Sequence, residues 1–209
     1  MKDVKEHTIR KIIVLLVFLQ LLLLGIKLCL FVFFERTNYF DSIASMFAMM
    51  ISAVLFVIFT NKRNVSLSIF PDKFGISYIL VTIVVAVLFI ATPSNFTGGF
   101  QTIILLIHSS IVTPIFEELI FRGYVWNKLN TVFSKEWKTY IISTVLFALW
   151  HIGYISSIAF RIQNGLANAM IWKVITGLCF GIILGAVRLK TKNSYSTILL
   201  HGALNVFGK

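Results

Sequence analysis

Seven apolar stretches leave this chain almost no choice of solvent. They cover residues 11–34, 42–60, 76–92, 100–122, 139–158, 169–189 and 194–207, each close to the roughly 20 residues a helix needs to cross about 30 Å of hydrocarbon. Hydrocarbon offers no partner to a free N–H or C=O, so each span must satisfy its own backbone, and the α-helix does this within a single segment. Hydrophobic residues make up 58% of the chain and charged ones 13%, which leaves no stretch polar enough for a separate water-soluble domain. The expected fold class is therefore all-α: a polytopic transmembrane helix bundle of about seven spans, in contact with the lipid bilayer. The first run is too long for a signal-peptide core and lacks a small-residue cleavage site, so it reads as a retained anchor.

The formal net charge of +11 does not point to nucleic acid, because the cations fall between the apolar runs rather than on one basic face. With the N-terminus cytoplasmic, the inner segments collect Lys2, Lys5, Arg10, Lys11, Lys62, Arg63, Lys73, Arg122, Lys128, Lys135, Lys138, Arg188, Lys190 and Lys192. The outer segments hold Arg36, Arg161 and Lys209. This asymmetry is the one the positive-inside rule expects. Cys29 and Cys179 both lie in apolar runs, form no C-x-x-C pair, and read as small core side chains. Asn61 to Gly75, with Pro71, reads as the hinge between an N-terminal helical portion and the rest.

Six polar residues sit where the pattern demands apolar ones: Glu117, Glu118 and Arg122 in the fourth run, His151 in the fifth, and His201 and Asn205 in the last. Each charge near the middle of a span costs about 2.5–3.5 kcal/mol, so residues of this kind usually mark a working site. Glu118 and Arg122 are i,i+4 neighbours and can pair. Glu117 projects about 100° away without a local cation, free for chemistry. A carboxylate kept from water takes up a proton more readily, as a general base requires. Pro114 cannot donate a backbone hydrogen bond, which predicts a kink and an unpaired carbonyl near Ser110. Helical rise places Glu117 and His151 at similar depth, roughly 20 Å from the cytoplasmic ends of their runs, so the two can meet. His108, nine residues before Glu117, falls on the opposite helical face and is left out of the site. Lys27 and Lys173 read as lysines that snorkel or face the bundle. Gly177, Gly181 and Gly185 are read as a close-packing stripe that brings the last helix toward the fourth and fifth.

These motif residues resemble a known family. Glu117-Glu118-Leu119-Ile120-Phe121-Arg122-Gly123 is similar to the E-E-x-x-x-R-G signature of the CPBP intramembrane proteases, also called Abi proteins. That family takes in CAAX prenyl endopeptidases and bacterial bacteriocin-processing or immunity proteins. Phe147 to His151 matches its F-x-x-x-H, and His201 to Asn205 its H-x-x-x-N, in the same order. The resemblance covers roughly residues 100 to 207. It implies two parts: accessory N-terminal helices over 1–98 and a protease core over 99–209.

What the resemblance implies is an intramembrane endopeptidase acting on a membrane-delivered peptide or membrane-protein substrate, with access from the cytoplasmic side. Glu117 would activate water, Glu118 and Arg122 would hold and tune it, and His151, His201 and Asn205 would complete the site. The residue types leave two mechanisms open. In one, His151 and His201 with a Glu oxygen bind zinc and lower the pKa of its water. In the other, no metal is needed and His and Asn side chains stabilise the oxyanion. The compact chain and the resemblance together suggest a bacterial plasma-membrane protein of bacteriocin self-immunity or peptide maturation, with a prenylated substrate less favoured. The competing class is a non-proteolytic immunity or regulatory protein that binds a bacteriocin, its receptor or a sensor kinase. A proton-coupled transporter would predict internal repeats, and the sequence has none. Oligomeric state is not legible.

Overall fold

The computed structural model describes residues 2–92 and 96–207. Over those residues the chain is helical, with no strand. Seven helices follow one another: α1 (Lys2–Phe33), α2 (Asn38–Lys62), α3 (Ile76–Ala91), α4 (Gly99–Asn130), α5 (Glu136–Arg161), α6 (Leu166–Thr191) and α7 (Tyr195–Phe207). Among the described residues, α1, α2, α4, α5 and α6 are long and apolar enough to cross a membrane, while α3 has 16 residues and α7 has 13. The chain is a multi-pass membrane protein. Lys209, assigned by charge to the outer side, lies outside the described residues.

Local chemistry sets the helix ends. Thr37 caps α2 by accepting the Phe40 N–H on its Oγ1 at 3.1 Å. Gly165 (φ 76°) begins α6 and Lys192 (φ 58°) ends it, both in the left-handed region. Along α1, Ile12, Leu16, Leu19 and Leu23 are buried while Val14, Val17, Leu21 and Leu28 are exposed, one helical stripe facing protein and the other facing lipid.

Side-chain contacts fix which helix ends lie together. Gln20 of α1 donates to the Trp150 carbonyl of α5 at 2.9 Å, and Lys5 sits over the Phe133 ring just before α5, so α1 and α5 run in parallel. Lys192 pairs with Glu136 at one end of α5 and α6, and Gly177 meets His151 toward the other. Those two helices are antiparallel. Asp41, fully buried, pairs with Lys27 at 3.2 Å, Arg36 at 2.8 Å and Arg161 at 3.2 Å. This cluster ties α1, α2 and α5 together at the end opposite the lysine-rich loops, and in it Lys27 faces the bundle.

The glycine stripe works differently from the sequence expectation. A Cβ on Gly177 would stand 2.6 Å from His151 Nδ1, one on Gly181 would stand 3.0 Å from Thr144 Cγ2, and one on Gly185 would stand 2.4 Å from the Tyr140 ring. The stripe draws α6 itself onto α5. The last helix reaches α4 through Gly202 instead, where a Cβ would lie 2.4 Å from the Ser110 carbonyl oxygen.

Helix α4 is not uniform. It is π-helical over His108–Val112 and again over Leu119–Val125. Pro114 explains the first segment, since it withdraws one N–H and the chain adjusts around the loss. In the wider register the carbonyl left without its backbone donor is that of Ser109, one residue earlier than the α-helical count placed it. Asn205 Nδ2 donates to it at 2.7 Å.

Candidate active site

The two glutamates diverge as their spacing predicts. Glu118 is fully buried and its Oε1 accepts from Arg122 Nη1 at 3.0 Å and from His201 Nδ1 at 3.0 Å. Arg122 is held further by the face of Phe147, 4.2 Å from its guanidinium carbon, and by the Gly181 carbonyl. Breaking a buried pair like this one costs about 3–5 kcal/mol, because the remaining charge is left in an apolar interior. Glu117, 1% exposed, pairs with no arginine or lysine among the described residues. Its Oε1 accepts from the Tyr154 hydroxyl, and its Oε2 lies 3.8 Å from His201 Nε2.

Both imidazoles are oriented by acceptors. His151 Nδ1 is 2.8 Å from the Phe147 carbonyl, one turn back on α5, and His201 Nδ1 faces the Glu118 carboxylate. A carbonyl and a carboxylate only accept, so each ring carries its hydrogen on Nδ1 and offers Nε2 to the site. Phe147 stacks edge-on against both rings, with centroids 5.0 Å from His151 and 5.9 Å from His201. The F-x-x-x-H spacing thus lets one aromatic side chain orient two histidines.

These residues floor a cavity of about 530 Å³ among α2, α4, α5, α6 and α7. Glu117, His151, His201 and Asn205 line it, whereas Glu118 and Arg122 lie beneath, in contact with the liners. His108 lines it too, against the sequence expectation. One extra residue in the intervening π-turn takes about 100° from the α-helical angle, so His108 lies about 80° from Glu117 instead of opposite. The cavity's walls extend toward Ser42, Arg161 and Lys173, away from the lysine-rich loops.

Sequence reasoning missed Tyr154. It stands at the end of a 3-10 turn, His151–Tyr154, that interrupts α5 just where the histidine sits. Trp150 Nε1 donates to its hydroxyl at 3.1 Å and the hydroxyl donates to Glu117. The available signal was a tyrosine three residues beyond the motif histidine, inside an apolar run where a buried hydroxyl needs a partner.

Metal binding calls for deprotonated donors, and the Nε2 lone pairs of His151 and His201 fit that chemistry. Among the described residues, no three His, Cys, Asp or Glu side chains are drawn into a metal-holding group.

A family model described as Rce1-like type II CAAX prenyl endopeptidase matches residues 99–207, more than half of the chain and a range that contains all six motif residues. The chain belongs to that family. Two curated relatives from Lactococcus lactis subsp. lactis (strain IL1403) are similar over part of their length. UPF0177 protein YxdF is 28% identical over 98 residues, 47% of this chain and 44% of the relative. UPF0177 protein YbdI is 27% identical over 114 residues, 54% of this chain and 52% of the relative. The chain thus spans about half the length of these relatives. No solved structure matches.

Proposed function

We propose that this Rce1-like protein is an intramembrane endopeptidase in which Glu117 activates the attacking water. The observation that carries this reading is the placement of Glu117. It is a buried carboxylate with one oxygen held by Tyr154 and the other turned toward His201, on the floor of an open cavity inside a membrane bundle. Water between Glu117 Oε2 and a scissile carbonyl loses a proton to the carboxylate as its oxygen bonds to the carbonyl carbon. Glu117 then passes that proton to the leaving nitrogen as the C–N bond breaks. Glu118 and Arg122 fix the helix and, through His201, the imidazole beside the base. In this reading the His151, His201 and Asn205 side chains supply hydrogen bonds to the developing oxyanion, and Asn205 also holds the wall through Ser109.

The Nε2 lone pairs also support a second reading, in which His151, His201 and a Glu oxygen would hold zinc, and the ion would supply a water of lowered pKa. The bacterial source of the lactococcal relatives fits a bacterial plasma membrane as the setting, and the motif resemblance alone suggests bacteriocin self-immunity or peptide maturation as the role. The alternative role is a non-proteolytic immunity or regulatory partner of a bacteriocin, its receptor or a sensor kinase.

The test compares membrane-peptide N-termini by mass spectrometry in cells carrying wild type, Glu117→Gln or no copy, at equal expression. The expected result is a set of N-termini present only with wild type, with cleavage in the variant down by about 10²–10⁴-fold, the usual contribution of a general base. A phenotype that persists in Glu117→Gln cells without differential cleavage overturns the protease reading in favour of the binding partner. Purified protein stripped with a chelator and assayed with and without added zinc decides between the two mechanisms.

A further inference from the structure

Among the described residues, the lining of the cavity over Glu117 extends to one side of that carboxylate. Its walls come from the start of α2 (Ser42, Ser45), the first third of α4 (Leu105, His108), the end of α5 (Ile158, Arg161) and the start of α6 (Lys173, Thr176). The opposite direction is filled. Directly beyond Glu118 and Arg122, the side chains of Val125, Trp126, Leu129 and Leu184 are fully buried. Arg188 closes what remains, donating from Nε to the Arg122 carbonyl at 3.0 Å and from Nη2 to Asn127 Oδ1 at 3.1 Å. Asn127 in turn donates to the Ser66 carbonyl of the α2–α3 connection. A substrate backbone reaching Glu117 from that side would have to break this plug.

Charge assigns the two ends to the two faces of the membrane. The plugged end carries Lys62, Arg63, Lys128, Lys135, Lys138, Lys190 and Lys192, with Glu136 and Asp72 as the nearby anions. At the open end, three of the four cations, Lys27, Arg36 and Arg161, share one buried carboxylate, Asp41. Clusters of Lys and Arg in short loops are retained on the cytoplasmic side.

We infer that the site takes its substrate from the non-cytoplasmic face: a peptide segment in or on the outer leaflet, admitted between α2, α5 and α6 at Ser45, Ile158 and Thr176. The inference rests on the protease reading for the word substrate, while the direction of access rests on packing and charge alone. In this arrangement a peptide still on the cytoplasmic side has no route to Glu117, and one arriving from outside or already translocated does. Arg161 and Lys173 at the rim would be the first charges it meets.

The experiment uses the full chain in intact cells, with Cys29→Ser and Cys179→Ser as background. Single cysteines are placed at Ser45 or Thr176 in the cavity wall and, as reference, at the exposed Ser134 between α4 and α5. The probe is a membrane-impermeant maleimide, applied before and after permeabilisation. The expected result is that Ser45→Cys and Thr176→Cys react to the same extent in both conditions, while Ser134→Cys reacts only after permeabilisation. The reverse pattern overturns the inference. So does a cavity position silent in both conditions while Ser134→Cys reacts, because the wall is then closed to water. Labelling needs no catalysis, so a failed protease reading and a failed direction of access give separate results.

Discussion

Tyr154 is the side chain whose removal asks the narrowest question. Its hydroxyl donates to Glu117 and is itself held by Trp150. Tyr154→Phe keeps the ring and removes one hydrogen bond to a charged acceptor, worth about 1.5–3 kcal/mol. The expected outcome is a loss of roughly tenfold or more in the cleavage rate of a Glu117-dependent peptide, with the bundle's thermal unfolding in detergent little changed. An unchanged rate would show that Glu117 needs no such partner. The motif residues were legible in the sequence because charge in a span is conspicuous. Tyr154 was not, because a tyrosine in an apolar run looks like any other aromatic. His108 was misplaced because an α-helical angle was carried through a stretch that winds differently, and nothing in the residue types of His108–Val112 announces the change except the proline after it.

At the scale of elements, the α5–α6 contact decides where His151 stands. Gly177→Ala puts a methyl 2.6 Å from the ring nitrogen that binds the Phe147 carbonyl, so the ring or the helix must shift. Gly25→Ala on the lipid face of α1 meets nothing within 4 Å and should if anything stabilise its helix, by about 0.5–1 kcal/mol. Cleavage is expected to fall sharply for the first variant and hold for the second. Equal activity in both would mean that His151 tolerates displacement. The seven helices were readable from apolar run length, and the soft boundaries moved mainly outward: α1 begins at Lys2 and α5 continues to Arg161. The direction of the glycine stripe was not readable, because a small-residue row states that something comes close without naming the partner.

Across the whole molecule, the family match begins at residue 99, yet the helices before it are joined to the core by buried polar contacts. Asp41 is the centre of that joint. Asp41→Asn leaves Lys27, Arg36 and Arg161 without their shared anion, and loss of one partner from a buried ionic cluster typically costs about 3–5 kcal/mol. The variant is expected to unfold at lower temperature in detergent, with α1 more open to protease. A wild-type melting curve would show instead that lipid and water satisfy these cations unaided.

The two π-helical turns of α4 also make chain length in this region a constraint of its own. Each turn holds one residue more than the α-helix would, and Glu117 lies between them. Deleting a single residue from either turn would let it relax to ordinary α-helix and swing one flank about 100° relative to the other. Glu117 would part from His151, or Glu118 from Arg122, with every named side chain still present. Ile111 is half-exposed to lipid and open to substitution by other apolar residues. Its removal is expected to abolish cleavage where Ile111→Val does not, a difference that a paired deletion and substitution scan would read directly.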